Sequence, residues 1–330
     1  MKINLLISLL LSQICFSQVT ITKAFNDPVV GDVVNNKNVV GTVNNAGSGS
    51  GQTFDNSLLT AGTPIVTTFS TPTSAEITSY PGTTIKSSDG ATTSFFKQSS
   101  SKLEITALIT TEGTLSFAGD NATAIQYPFA FGNSVVDNAK GTFTSTTASG
   151  LIKGTVTITA DASGTLIMSG NTYSNVLRVK TVQNFNLYQS SDTFYTFPIG
   201  TITGTSYQYY NASSKQPLLS SISGNISIPI LSFNQSTNQA VAQSTAFLGT
   251  KDVQFVEDFV IYPNPAQNFI KLKGNIDNQL EVEIFSIDGK HLMKSLVKDE
   301  LIDISNLTPG TYILKLIGKD VQRTIKFIKK

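Results

Sequence analysis

Thr155-Val156-Thr157-Ile158-Thr159 decides the fold of the larger part of this chain. Apolar and hydroxyl residues alternate with a period of two, and both apolar positions are β-branched. One face of an extended strand is therefore buried and the other wet. The pattern recurs on either side. Leu103, Ile105, Ala107 and Ile109 interleave with Glu104, Thr106 and Leu108, and Ile226, Ile228 and Ile230 interleave with Ser227, Pro229 and Leu231. Gly and Asn punctuate the runs at short spacing, as in Ala118-Gly119-Asp120-Asn121 and Ser163-Gly164. No stretch of about 11 residues holds a helical period. The pattern predicts an all-β chain with a large β-sandwich-like body.

Two stretches of the body read as loose. Asn44 to Gln52 has the Gly/Ser composition of a flexible loop. Ser232 to Thr250 is rich in Gln, Asn, Ser and Thr, and its second half, 237–257, reads as an interdomain linker. Charge density changes across it. Residues 18–257 carry 11 Lys/Arg and 13 Asp/Glu, and residues 258–330 carry 11 and 9. Those 24 charges fall in 240 residues and the other 20 in 73, so two folding units are expected: a β-rich body over 18–236 and a C-terminal unit over 258–330.

The N-terminus reads as a secretory signal peptide over 1–17: Lys2, a short apolar run to Ile14, then small residues before a cut between Ser17 and Gln18. The run is well short of the roughly 20 residues that span a bilayer. Cys15 raises the question of a lipid anchor, but the bulky Ile14 before it favours ordinary cleavage after Ser17. Cys15 is the single cysteine, so the mature chain has no intramolecular disulfide. No later segment is apolar for about 18 residues, so no membrane span is expected after signal removal.

The C-terminal unit has seven candidate strands, with turns at Tyr262-Pro263-Asn264-Pro265, Asp288-Gly289 and Pro309-Gly310. Leu280, Val282 and Ile284 alternate with Glu281 and Glu283, and Tyr312, Leu314 and Leu316 share a face. Pro presets φ and Gly permits positive φ, so these turns fix the backbone cheaply. The unit is expected to be a small Ig-like β-sandwich. It resembles the type A C-terminal sorting domain of proteins exported by the type IX secretion system of Bacteroidetes. The resemblance is carried by Tyr262-Pro263-Asn264-Pro265, Ile284-Phe285-Ser286-Ile287-Asp288-Gly289-Lys290, the run from Leu307 through Pro309, Gly310 and Tyr312 to Lys315, and Thr324-Ile325-Lys326-Phe327-Ile328-Lys329-Lys330. It implies engagement of the type IX machinery in the outer membrane, then release outside the cell or attachment to surface polysaccharide.

The body also resembles a recurrent region of flavobacterial sorting-domain proteins, through Gly51-Gln52-Thr53-Phe54-Asp55-Asn56-Ser57-Leu58, Tyr127-Pro128-Phe129-Ala130-Phe131-Gly132, Gly164-Thr165-Leu166-Ile167 and the run from Thr172 to Lys180. That resemblance implies no activity, and Phe54 stands where the pattern favours Trp.

Missing residue types remove chemistries. The sole histidine, His291, lies in the C-terminal unit, so the body has no Ser-His-Asp or Cys-His arrangement and no His/Cys zinc ligands. A net charge of +1 argues against nucleic acid as a partner. Carboxylates remain: Glu76, Glu104, Glu112, Asp120, Asp137 and Asp161 could supply the pair a glycoside hydrolase needs, though nothing in the sequence pairs them. Turn oxygens at Asp89-Gly90, Asp120-Asn121 and Asp137-Asn138 could hold a structural calcium; no other cofactor and no metal ligand set is indicated. Aromatic residues concentrate at Tyr188, Phe194, Tyr195, Phe197, Tyr207, Tyr209 and Tyr210, and Tyr207 and Tyr209 share one strand face where they could stack on the sugar rings of an extracellular glycan. The function expected is a secreted or cell-surface, non-catalytic binding or adhesion module. A carbohydrate-active enzyme using paired carboxylates and a structural surface-layer protein are the alternatives.

Overall fold

The computed structural model describes residues 19–248, 260–273, 280–297, 301–317 and 322–330. The signal-peptide reading, the Ser17–Gln18 cut and the linker positions from 249 onward lie outside them. Chain contacts divide the protein into two units, 1–250 and 251–330.

The body's strands are β1 (Thr20–Ile21), β2 (Val33–Val40), β3 (Gly49–Asn56), β4 (Thr60–Ser70), β5 (Ile85–Ser88), β6 (Thr93–Gln98), β7 (Lys102–Ile109) and β8 (Gly113–Asp120). They continue with β9 (Ala122–Gln126), β10 (Phe129–Ala130), β11 (Ser134–Ser145), β12 (Ser149–Met168), β13 (Asn171–Tyr188), β14 (Pro198–Tyr210), β15 (Leu219–Ile228) and β16 (Phe233–Gln243). Two short helices, α1 (Lys23–Asn26) and α2 (Ser74–Ser79), interrupt them.

The all-β expectation holds, and the structure refines the sandwich-like body into a single sheet that closes. Its order is β11-β8-β7-β6-β5-β4-β2-β16-β15-β14-β13-β12, and β12 pairs back onto β11 from Ser134↔Thr159 to Thr144↔Ser149. β9 pairs with β7, and β3 adds in parallel to the far half of β12. Strand pairing fixes which residues face inward. Phe117 on β8 and Phe185 on β13 have ring centroids 5.7 Å apart, although β11 and β12 lie between their strands. On a flat sheet three strand spacings would separate them by about 14 Å. Their face is therefore the lumen.

The inward face of β12 carries Ile152, Val156, Ile158 and Ala160, all essentially solvent-free, while Thr155, Thr157 and Thr159 point out. The pentapeptide Thr155–Thr159 thus lies in the barrel wall. Outward positions elsewhere are Asn184 and Asn186, Thr201 and Thr203, and Asn234, Ser236 and Asn238. A lipid-facing barrel carries an apolar outer band. This wall carries hydroxyls and amides there.

The expected linker is corrected over its first half. Residues 237–243 are the end of β16, hydrogen-bonded to β15 throughout and to β2 at Val241, Ala242 and Gln243. A 3-10 turn (Ser244–Phe247) follows and buries Ala246 completely. The stretch reads as linker because Gln235 to Gln239 are solvated on both sides of one strand, which removes the alternation that marks a strand.

The C-terminal unit is a two-sheet sandwich, matching the seven expected strands. β17 (Val260–Tyr262), β18 (Phe269–Lys273) and β21 (Leu301–Asp303) form one sheet. β19 (Glu281–Ser286), β20 (His291–Leu296), β22 (Gly310–Ile317) and β23 (Gln322–Lys329) form the other. Ile270, Leu272, Val282, Ile284, Leu314, Leu316 and Phe327 are each fully buried between them. Their spacing of two along each strand is the alternation read from the sequence.

Candidate functional site

The barrel's lumen is packed toward one end and open toward the other. Register brings the 89–92, 110–112 and 146–148 turns and the 189–197 and 229–232 connections out together at the open end. A cavity of about 860 Å³ runs from there along the wall, from Phe143 and Leu187 to Ile222 and Gln239, and its lining takes in both faces: Gln183 and Gln239 from inside, Asn45, Tyr207 and Asn238 from outside. Three rows of inward residues cross β13, β14, β15 and β16. The first is Phe185, Ile202, Ile226 and Gln235; the second is Gln183, Gly204, Gly224 and Thr237; the third is Thr181, Ser206, Ile222 and Gln239. Among the described residues the side chains of Gln183, Gln235, Thr237 and Gln239 make no hydrogen bond within the protein, so their donors and acceptors face the cavity unspent. Asn36, on β2, also lines it, and its side-chain oxygen is buried without a partner. A buried acceptor left unpaired costs about 1–3 kcal/mol unless something in the cavity satisfies it.

The rim is apolar. Phe194 and Phe197 are 90% and 76% exposed, and Ile230 is 76% exposed. The Phe-bearing loop is built to hold them out. The Asp192 carboxylate accepts from the Thr196 and Phe197 N–H groups at 3.0 and 2.7 Å, Tyr195 takes a left-handed φ of +58°, and its ring packs edge-on to buried Tyr188 at 5.2 Å. Two carboxylates reach the same cavity. Asp89 accepts from the Ala91 and Thr92 N–H groups. Glu112 is held below the usual carboxylate range by the Thr110 and Thr111 hydroxyls.

The outer face of the same wall is the opposite case. Arg178 is 1% exposed. It donates from Nε and Nη2 to the two Asp161 oxygens at 2.9 and 2.8 Å, and from Nη1 and Nη2 to the Asn45 and Gly47 carbonyls at 2.8 and 2.5 Å. Its guanidinium carbon lies 5.0 Å from the ring centres of both Phe54 and Tyr207. Burial works against the charge, but the Asp161 carboxylate outweighs it and the pKa of Arg178 stays above its ordinary value.

This clamp corrects two expectations. The stretch from Asn44, read as a flexible loop, is tied down by Arg178 and by the Asn44 N–H donating to Asn56 Oδ1 at 2.7 Å. Tyr209 is not available to stack on a ligand. It is fully buried, edge-on to Phe54 at 5.0 Å, its hydroxyl donates to Asn45 Oδ1 at 2.8 Å, and burial pushes its phenol up to about 12. Tyr207 does share its face, as expected, but lies over Arg178.

Three of the other carboxylates named from the sequence are held structurally. Glu76 caps α2 and pairs with Lys86 Nζ at 2.7 Å, Asp161 is committed to Arg178, and Asp137 accepts from the Thr123 N–H at 2.8 Å. Among the described residues no three His, Cys, Asp or Glu side chains gather around a metal position. What the sequence reading missed is Gln183, Gly204, Gly224, Thr237 and Gln239. The available signal was a glycine inside an alternating strand run, in Ile202-Thr203-Gly204-Thr205 and Ile222-Ser223-Gly224-Asn225-Ile226.

In the C-terminal unit the motif residues meet. Asn264, inside the Pro263–Pro265 turn, accepts from the Ile328 N–H at 2.9 Å and donates to the Lys326 carbonyl at 3.3 Å. The Ala266 N–H donates to Ile328 O and the Lys330 N–H to Ala266 O, each at 2.8 Å. The first and last motifs are thus one clasp, with the Lys326 side chain exposed beside it. Tyr312 stacks on Phe327 at 5.5 Å and donates to the Thr308 carbonyl at 2.7 Å, bracing the Pro309-Gly310 turn. Asp288 accepts from the Ser286 hydroxyl, which holds its carboxyl low, and Gly289 takes φ +87°.

Comparison with known proteins agrees with this half. Residues 260–330 match the family model of a secretion system C-terminal sorting domain. No curated protein sequence matches the chain. A similar solved structure is PorZ, described as an essential bacterial surface component of the type IX secretion system of Porphyromonas gingivalis. It is 9% identical, with 72% of this chain and 43% of that one covered and a TM-score of 0.21, so this chain spans under half its length and the likeness bears no weight on the fold. The chain carries a type IX C-terminal sorting domain, and the protein is exported to the cell surface or the extracellular space.

Proposed function

We propose that the body is a non-catalytic binding and adhesion module that takes an extracellular glycan into the open end of its barrel. In this reading an N-terminal signal peptide is cut after Ser17, the type IX machinery handles the folded clasp around Asn264, and the barrel acts outside the cell. The observation that carries the reading is the cavity itself: open, uncharged across its β13–β16 wall and lined by unspent amides, with exposed phenylalanines on the 189–197 connection at the same end of the barrel. Ligand sites combine apolar surface with a few convergent polar groups in this way.

Turnover is disfavoured by the rim carboxylates. A glycosidase needs one carboxylic acid whose pKa is raised so that it holds its proton. Glu112 is shifted the other way, and the Asp89 carboxylate is occupied by its own turn.

The test is a glycan array probed with labelled full-length protein and with the Phe194→Ala/Phe197→Ala double variant. Binding to a restricted set of glycans, weakened at least about tenfold by the double change, is the expected result; tenfold corresponds to roughly 1.4 kcal/mol. Release of reducing sugar from any bound glycan would replace this reading with an enzymatic one.

A further inference from the structure

The body's inward glycines fall into two kinds. A Cβ built at Gly141, Gly150 or Gly154 would come within 1.7, 2.1 and 2.0 Å of a neighbouring backbone oxygen. The fold demands those glycines. Gly204 is different. A Cβ there would meet nothing closer than Gln183 Oε1 at 3.4 Å, an ordinary contact, and its φ is not positive. Gly224 needs the Thr203 carbonyl, 3.1 Å away, to yield by only a few tenths of an ångström. Yet a glycine inside a strand weakens it through backbone entropy, by roughly 0.5–1 kcal/mol relative to alanine. Gly204 and Gly224 are moreover direct cross-strand partners, which lays two bare backbones side by side in the cavity wall. Glycine in a strand interior marks a place where something approaches the backbone closely. Here the neighbour is the cavity.

We propose that the Gly204–Gly224 pair is a subsite on which the flat face of an uncharged sugar ring rests; this builds on the glycan-binding reading above. The bare pair is bounded by Ile202 and Ile226 in one row and Ile222 in the other, which meet the C–H edges of the ring. Gln183 and Thr237 stand at its two ends. Each ring hydroxyl both donates and accepts, and an amide or hydroxyl side chain can answer either way. A charged sugar would have to give up water without meeting a counter-charge, because the row holds none.

Titration calorimetry on the full-length protein tests the subsite, using short gluco-, manno- and xylo-oligosaccharides, an oligogalacturonate as the charged counterpart and an extended Ser/Gly/Ala peptide. Gly204→Ala and Gln183→Ala should each weaken the tightest neutral sugar at least about tenfold. Thr201→Ala, on the outward face of the same strand, should leave it within about twofold, and the melting temperature of Gly204→Ala should be no lower than the parent's. If Gly204→Ala melts early, Gln183→Ala decides. A neutral sugar that binds both variants as well as the parent, yet is lost from the Phe194/Phe197 double variant, overturns the subsite and leaves the cavity reading standing. Oligogalacturonate or the peptide as the tightest ligand overturns the ligand class. Binding of none of these overturns both.

Discussion

Arg178 and Gln183 stand five positions apart on one strand and face opposite sides of one wall, and their fates differ completely. Arg178 points out of the ring, yet is buried, with every part of its guanidinium occupied by Asp161, two loop carbonyls and two rings. Gln183 points into the ring, yet faces an open cavity. The barrel keeps a dry core on part of its outside and a wet chamber inside. A polar residue's role is therefore set by whether its hydrogen bonds are already used, not by which side of the sheet it occupies. The outer patch is structural because it is saturated; the inner one is proposed as a site because it is not.

The largest effect that would sharpen this contrast comes from Arg178→Ala. It strands Asp161, frees the carbonyls of Asn45 and Gly47, and removes the cation from two rings. Breaking one side of a buried ion pair costs about 3–5 kcal/mol. Denaturant unfolding of the full chain should show a loss of that size, and Arg178→Lys should recover little, because a lysine lacks the planar fork. Gln183→Ala should shift the same transition by less than about 0.5 kcal/mol, as ordinary surface changes do. Similar losses for the two changes would erase the distinction.

Legibility in the sequence follows the same line. The pentapeptide around Ile158 announced its wall because a buried β-branched residue alternating with threonine needs no knowledge of distant partners. All the strands of the C-terminal unit were legible for that reason, and its motifs could be placed because Pro263, Pro265 and Gly310 act locally. Ring closure was not legible. It depends on β11 meeting β12 on one side and β8 on the other, which no local period encodes. Nor was the clamp: Asn44 to Gln52 has a linker's composition, and only Arg178, more than a hundred residues later, orders it. Tyr207 and Tyr209 drew attention as aromatics, but composition does not say which aromatic is spent on packing. Phe194 and Phe197, in the same cluster, are the ones left in water.

A smaller effect separates the two kinds of glycine inside the chamber. Gly154→Ala drives a methyl group into the Asn184 carbonyl and the Phe185 ring, at 2.0 and 2.7 Å, where the lumen is packed. Overpacking of that kind costs about 1–3 kcal/mol. Gly204→Ala, whose Cβ meets only Gln183 Oε1 at contact distance, should leave stability unchanged or raise it by up to about 1 kcal/mol. Thermal melting of the two single variants checks this, and a Gly204→Ala loss as large as that of Gly154→Ala would mean the open end is packed after all.

The smallest effect is electrostatic and separates the outer margin from the lumen by pH. Glu76 is held below the usual carboxylate range first by the hydrogen bond from Lys86 and then by the Thr73 backbone N–H it caps. A carboxylate whose folded pKa lies below its unfolded one adds stability that is complete above the unfolded value, near 4.3, and drains away as pH falls through the folded value. Solvent screening keeps this contribution under about 1 kcal/mol for a partly exposed pair. Stability should therefore be flat from neutrality to about pH 5 and fall below that, with Glu76→Gln reducing the slope. The row of Gln183, Gly204, Gly224 and Thr237 holds no group that titrates, and Glu112 at the rim stays ionised because its own pKa is lowered. Sugar affinity should accordingly hold constant between about pH 5 and 8, where only histidine among ordinary side chains changes charge, and the body has none. A tenfold change in affinity across that window would place a titrating group in the chamber and end the contrast between a saturated outside and an uncharged inside.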